Sequence, residues 1–580
     1  MGAEQHCSRP SSPNKTYRTL LRYAAGSLAC FFLAIWVSYR RPPRVLSLLE
    51  SPPRCSSSLP PELLSNPPSS DTPAFKHLAR RLDQKLARRV AHPDMDSLAV
   101  AVVTSSGTVF EGTYGVVRAN ESSNAHVDRD TIYRLASVSK IFTALETWLL
   151  VESGKLEWDR PISDYIPQYT PPCAASGRCY SPTLRDLASH RAGVGSNLPP
   201  GDMSLWPHSL QGAGTPPENG RPFPSEEEVL EAINRYSTGV PLGKLPVYSN
   251  TGYAFLGMVN SAAAASKSGQ KPSHAELIQR DVFSVLNMSG SGFLTSVFER
   301  ERIAVPSSFS DAADYDFRNA MNPAGGQVSS LADMAKATSA LLKSLDPATT
   351  DSLLSSTHMQ QWLSTSYAWD DGITEPGHSW IALLRKDKWK RTQRLYQSFG
   401  QLNTFHSAWT INPRAGYGVV VLMTGDYPDS QDFTIQLVDA FQPAFDDLLE
   451  VEARKSYVGR WSTAGTSSPD SEMVTSLRSG TLWVDKLTLN GTDTLGLLQG
   501  TDRPEPVMLW HTGAPGRFRL ASGIPFFNKA PNYGCLSYFY AMDVGYAAGV
   551  PVTEIVFSGA GSARAAHFPS ALVDLHRLQD

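Results

Sequence analysis

Cysteine is scarce in this chain, six in 580 residues, and the thirteen histidines show no paired ligand spacing. No His-Glu-x-x-His occurs, so a metal hydrolase has no ligand set here, and no metal or other cofactor is expected. No Gly-x-Ser-x-Gly occurs either, which removes the nucleophile elbow of the α/β-hydrolases. A formal charge of −3 gives no reason to expect nucleic acid or a polyanion as partner. The glycines of Met321–Gln327 (MNPAGGQ) have no Gly-Lys-Ser/Thr after them and no strand before them. They read as a structural turn, not a phosphate cradle.

What is present is a globular composition, 41% hydrophobic and 18% charged, in a chain long enough for two to four units. One stretch near the start differs. Tyr23–Tyr39 (YAAGSLACFFLAIWVSY) carries no charge, is flanked by Arg18, Arg22, Arg40 and Arg41, and at 17 residues meets the lower limit of a membrane span. No small-residue cleavage site follows, so it reads as a signal anchor, with 1–22 a cytosolic tail and the bulk lumenal or extracellular; secretion after cleavage is the alternative. Arg40–Pro73, rich in Pro and Ser, reads as a linker. Cys173 and Cys179, six apart in a Gly/Ser-containing loop, suit a small disulfide-closed loop. Cys55 and Cys535 could pair or stay reduced. Sequons at Asn120, Asn287 and Asn490 are glycosylation acceptors if the chain enters a secretory compartment.

Residues 74–450 then form the catalytic candidate and 451–580 a separate domain. Ala74–Val90 reads as a helix, and Ser97–Val103 with Thr108–Tyr114 as a hairpin around Ser105-Ser106-Gly107. Thr183–His190 looks like a short capped helix, Ser225–Tyr236 opens with a capping box, and Ser330 precedes a helix at Leu331–Lys343. Gln397–Ile411 and Tyr417–Thr424 are extended runs joined by Asn412–Gly416. Beyond Val451, short β-prone runs separated by Gly, Asn and Pro turns predict an all-β barrel or sandwich. Its tryptophans, Trp461, Trp483 and Trp510, suit either a core or a sugar-binding platform.

Chemistry concentrates in Thr131–Lys140 (TIYRLASVSK). Ser137 and Lys140 are three apart at the start of an apolar helical pattern, Ile141–Gly154, so the amine reaches the hydroxyl. The unpaired N–H groups of that first turn favour negative charge developing beside Ser137. Tyr248-Ser249-Asn250, the one Tyr-x-Asn in the chain, supplies a candidate base, Tyr248, and an amide, Asn250, able to bond Lys140 or a substrate. A phenol is a poor base at neutral pH unless a cation such as Lys140 stands beside it.

Five segments occur in a fixed order: TIYRLASVSK, TLRDLASHRAGV, PVYSNTGYAFLG, MNPAGGQVSSLADMAK and SFGQLNTFHSAWTINPRAGYGVVVLMTG. Together they resemble the serine β-lactamase and penicillin-binding-protein-like family, nearest to class C β-lactamases, esterases and acyltransferases. The resemblance covers roughly Ala74–Asp447. It implies an α/β sandwich, an antiparallel sheet flanked by helices with a helical subdomain. It also implies Ser137 as nucleophile, Lys140 as its activating partner, Tyr248 as general base and acid, and Asn250 as contact to Lys140 and substrate. Family members carry Lys-Thr-Gly or His-x-Gly on the strand edging the site; this chain has Ser398-Phe399-Gly400. Gly400 still lets backbone approach, and the N–H of Gln401 with that of Ser137 would form the oxyanion hole. The cation is gone, and His406 lies too far along the strand to replace it, so β-lactams and D-Ala-D-Ala peptides become poor substrates. The expected activity is that of a serine hydrolase or acyltransferase on an ester, thioester or amide small molecule, with tailoring of a natural product as one setting. A non-catalytic binding or sensor protein, or a true β-lactamase or peptidase, is the alternative.

Overall fold

The computed structural model describes residues 55–122, 125–171, 173, 179–236, 240–463, 470–523, 533–559 and 564–578. The expected tail, anchor and first part of the linker lie outside these residues. Among the described residues no helix is long and apolar enough to cross a membrane. The chain divides into two compact units, Ser57–Leu520 with Val544–Asp580, and Met1–Ser56 with Ala521–Asp543.

In the larger unit, seven strands form one antiparallel sheet: β1 Ser97–Thr104, β2 Gly107–Gly115, β3 Thr374–Pro376, β4 Ile381–Lys386, β5 Thr392–Leu402, β6 Phe405–Asn412 and β7 Tyr417–Thr424. Their order is β2-β1-β7-β6-β5-β4-β3. Alternation along a strand sends successive side chains to opposite faces, and both faces are covered here, so the central strands read as unbroken apolar runs. In β1, Ala99, Ala101 and Val103 enter one core, while Leu98, Val100 and Val102 enter the other. In β7, Val420 and Leu422 join the first core, and Val419, Val421 and Met423 the second.

Helices α1 (Pro73–Val90), α2 (Ser139–Glu152), α3 (Asn250–Ala263), α4 (Leu331–Leu345) and α5 (Ser430–Tyr457) surround the sheet. The first core takes in α2, α3 and α4; the second takes α1 and α5. The capped helices occur where the side chains call for them. Thr183 and Ser225 each form reciprocal capping boxes, with Asp186 and Glu228, and Ser330 caps α4 by accepting from Asp333 N–H.

Three expectations need correction. The run Gln397–Ile411 is not one strand: β5 begins earlier, at Thr392, and turns into β6 at Asn403, whose φ is 49°. Asparagine tolerates that left-handed conformation, so no glycine marked the turn. The Pro/Ser-rich stretch is also packed from Ser57 onward. Leu59 and Leu63 are each 2% exposed, and the Ser57 carbonyl accepts from Arg391 Nη1 and Thr481 Oγ1. Lastly, the β domain starts at Gly459, because α5 runs unbroken to Tyr457.

That domain is a closed barrel. Among the described residues eight strands of a nine-stranded sheet follow each other around it, and Glu472–Arg478 pairs with both Gly459–Ser462 and Thr481–Leu489 to close the ring. Trp461 is 1% exposed and donates Nε1–H to Thr475 Oγ1, so it is core and cannot serve a sugar platform. In the smaller unit, a disulfide joins Cys55 to Cys535, directly before a short helix, Leu536–Ala541. Cys173 and Cys179 are joined as well. The three sequon asparagines are exposed.

Leu63→Ala should cost about 2–4 kcal/mol in denaturant-induced unfolding, the range for emptying a buried leucine site. An unchanged midpoint would return the stretch around it to the role of linker.

Candidate active site

Ser137 lies in a single 3-10 turn, Ala136–Val138, directly ahead of α2. Ala136 has a φ of 46°, a left-handed conformation unfavourable for a residue with a Cβ, so the turn must be held from outside. It is held on three sides. Leu135 N–H donates to Gln327 carbonyl oxygen at 2.9 Å, Ser139 Oγ to the Ala136 carbonyl at 2.6 Å, and Ser407 Oγ to the Leu135 carbonyl at 2.7 Å. Ser407 pairs with Gly400 across β5 and β6. A Cβ on Gly400 would stand 2.1 Å from Leu135 O and 2.4 Å from Ser407 Oγ. Only glycine lets the strand lie this close to the serine turn.

Lys140 Nζ donates to Ser137 Oγ at 3.1 Å, Asn250 Oδ1 at 2.8 Å and the Ala324 carbonyl at 2.6 Å. Lys140 is 2% exposed, and burial lowers its pKa from the ordinary lysine value, against the opposing pull of Tyr248. Tyr248 OH donates to the same Ser137 Oγ at 2.5 Å, and Nζ lies 4.8 Å from the centre of its ring. Ser249, between Tyr248 and Asn250, caps α3 by accepting from Gly252 N–H at 2.8 Å. The cap fixes the chain direction, so the phenol just before the helix and the amide at its first position both face Lys140. The far side of the Asn250 amide donates to Asn197 Oδ1 at 2.8 Å.

His190 supports Tyr248 from behind, with ring centres 4.7 Å apart, and its Nδ1 accepts from Ser249 N–H at 3.1 Å. Burial, aided by the Lys140 charge, pushes the His190 pKa down to about 3, so the ring is a neutral acceptor. His190, Asn197 and the Ala324 carbonyl were not foreseen as site groups. His190 and Ala324 stand inside two of the recurring segments, so those segments carried the signal; Asn197 lies outside them. Met321–Gln327 is therefore more than a turn: it supplies the third acceptor for Lys140.

Ser137, Lys140, Tyr248, Asn250, Ser398, Gly400 and Gln401 all line one cleft of about 620 Å³. The seven expected residues thus meet in one place. Trp369, Trp380 and Ile381 form apolar walls, and among the described residues the charged ones lining the cleft are Lys140 and Asp429. Phe399 packs against the second core, on the opposite sheet face to Ser398 and Gly400. Pairing with β4 ends at Gln397, so from Ser398 onward that edge of β5 has no neighbouring strand among the described residues. His406 bonds the Gly425 carbonyl at 3.1 Å and does not line the cleft. A narrower cavity of about 60 Å³ adjoins Ser137, Asn250 and Gln401, walled by Phe223, Phe317, Met321 and Leu402. Among the described residues no group of His, Cys, Asp and Glu could hold a metal ion.

The family model for Beta-lactamase matches residues 82–441. A beta-lactamase-like protein of Strobilurus tenacellus is 32% identical over 52% of this chain and 97% of its own length. Esterase EstB of Burkholderia gladioli is 29% identical over 36% of this chain and 49% of its own length. Among solved structures, an octameric penicillin-binding protein homologue from Pyrococcus abyssi is 16% identical with a TM-score of 0.50, covering 86% of this chain and 99% of that one. It shares the fold. The matched span contains the serine turn, the Tyr-Ser-Asn cap and the open strand edge, and on it the chain belongs to the beta-lactamase family of serine hydrolases.

Proposed function

We propose that the protein is a serine hydrolase or acyltransferase that opens an uncharged ester, thioester or amide through an acyl–Ser137 intermediate. The observation that carries this is Ser137 Oγ held at once by Lys140 Nζ at 3.1 Å and Tyr248 OH at 2.5 Å. Ser137 Oγ attacks the carbonyl carbon, and its proton passes to the Lys140–Tyr248 pair, which then gives it to the leaving group. The N–H groups of Ser137 and Gln401 receive the oxyanion. Water as acceptor completes hydrolysis; an alcohol or amine in the cleft completes transfer.

The cleft walls select the substrate. Among the described residues a substrate carboxylate would find no cation there besides Lys140, which is committed to three acceptors, and would face Asp429. Losing a charge-assisted bond costs about 1.5–3 kcal/mol, which disfavours β-lactams and D-Ala-D-Ala peptides. The larger branch of a lipophilic, natural-product-like ester fits the aromatic cleft, and a branch of a few carbons fits the narrow cavity. The uncharged run Tyr23–Tyr39 would anchor the protein with this unit lumenal or extracellular, a setting that suits two disulfides and exposed sequons.

A fluorophosphonate probe should label the protein, and Ser137→Ala should abolish labelling; labelling that persists in the variant would remove Ser137 as nucleophile. Tyr248→Phe should lower kcat on p-nitrophenyl esters by roughly 10²–10⁴. Equal rates above background would remove Tyr248 from the proton-transfer step, and rates in both proteins no faster than spontaneous hydrolysis would favour a binding protein without turnover.

Burial holds the Lys140 pKa below 10.5, so the neutral amine becomes populated at lower pH than in free lysine. kcat/KM for a neutral ester should therefore rise with pH through one ionisation below 10.5 and then level off. A rate that falls with rising pH through that window would contradict proton acceptance at Lys140.

Gly400→Ala should cut kcat about 100-fold by driving β5 away from the serine turn, with little change in fold by circular dichroism. Full activity in this variant would show that the strand edge does not position the oxyanion.

A further inference from the structure

The smaller unit carries a helix that is built inside out. In Leu536–Ala541, Ser537 is buried, whereas Leu536, Phe539 and Tyr540 are 47%, 77% and 65% exposed. Those three stand at i, i+3 and i+4 and share one face. Phe539 is the most exposed aromatic side chain among the described residues, and its ring meets that of Tyr540 edge-on at 5.2 Å. A helix that points its serine inward and its large apolar groups outward wants an apolar surface to cover them.

The chain itself supplies the reason that this surface is lipid. Cys535 is the residue before the helix and accepts from the N–H groups of Tyr538 and Phe539; it is covalently joined to Cys55. Between Cys55 and the uncharged run ending at Tyr39 lie only Arg40–Arg54, fifteen residues. Fully extended, they span at most about 50 Å. Four of them, Arg40, Arg41, Arg44 and Arg54, are basic against one acid, Glu50, a balance that suits anionic headgroups. Three side chains alone would hold a bilayer weakly. A short covalent tether turns that contact into an intramolecular event at high effective concentration.

We propose that the Leu536–Phe539–Tyr540 face is a second membrane contact, inserted at the headgroup level of the bilayer that holds the N-terminal anchor, with the Cys55–Cys535 disulfide as the link between them. Aromatic and leucine side chains are the groups that partition to this interface. The inference rests on the anchor reading given above.

The test uses the full chain reconstituted in phosphatidylcholine–phosphatidylserine vesicles containing a phospholipid with a photoreactive diazirine near the glycerol. After irradiation, lipid adducts are mapped by peptide mass spectrometry. Adducts are expected both in 23–39 and in the peptide bearing Leu536–Ala541. The double variant Phe539→Asp, Tyr540→Asp should lose the second set roughly tenfold or more, because two charges replace two buried rings. Both positions are exposed, so retained ester hydrolysis and an intact Cys55–Cys535 linkage will show that the variant is folded. Adducts in 23–39 alone would overturn the proposal while leaving the anchor in place. Adducts in the helix alone would overturn the anchor reading and the tethered arrangement with it. Cross-linking of the helix face to a second copy of the chain, in place of lipid, would equally overturn it.

Discussion

One buried amine constrains the candidate active site. Lys140 is removed from water, with Ser137, Asn250 and the Ala324 carbonyl as its hydrogen-bond partners, and an ammonium so placed costs several kcal/mol unless polar groups replace its hydration. Its three acceptors come from three places in the chain: its own helical turn, the start of α3 and the turn after Met321. That demand fixes how α2, α3 and the turn approach one another. Below it a polar seam continues, with Thr143 Oγ1 on the Pro323 carbonyl, Thr147 Oγ1 on Asn260 Oδ1, and Asn260 Nδ2 on the Thr143 carbonyl. Gly257 permits the approach, since a Cβ there would lie 2.2 Å from Pro323 Cγ. Packing and chemistry share the same contacts.

The strand edge sets the other half of the site. Alternation in β5 presents Ser398 and Gly400 to the cleft and sends Phe399 to the opposite core. Ser398 Oγ makes no hydrogen bond within the described residues and is available to a substrate dipole, though not to balance a charge. His406 cannot take over the cation's role, because its ring is 3% exposed and committed to Gly425. The cleft therefore keeps the proposed nucleophile and proton-transfer groups, without a cation on the strand edge among the described residues. On the proposed reading, selectivity passes to Trp369, Trp380 and the narrow cavity beside Ser137.

Much of this was legible in the sequence because the signals are local. Ser137 and Lys140 sit three apart on one helical turn, Ser249 caps its own helix, and the apolar runs of β1 and β7 announce strands buried on both faces. The misreadings share a different cause. The turn at Asn403 depends on an asparagine in a left-handed conformation, which sequence pattern alone does not distinguish from strand. Ser57–Pro73 looks like a spacer by composition, yet Leu59 and Leu63 find partners far along the chain, and composition does not record partners. Backbone carbonyls are the hardest to foresee. The Ala324 oxygen acts through its position, and any residue there would provide one.

The barrel is a continuation of this architecture, not an attachment to it. α5 runs from the sheet to Tyr457, whose ring meets Phe518 and Phe557 edge-on inside the barrel at 4.9 and 5.1 Å. The second core passes without interruption from Val100 and Val421 through Phe441 and Phe445 to Trp461 and Phe568. Arg391, at the start of the hairpin that carries Gly400, donates to the Ser57 carbonyl and to the Gly480 carbonyl of the barrel. Removing the chain beyond Val451 would cut α5 within the helix and open a core shared with the catalytic sheet. The cost would fall on β5 and the strand edge beside Ser137 even if no barrel residue touches substrate. Point substitutions on exposed barrel positions are the changes that can separate a role in recognition from this structural dependence.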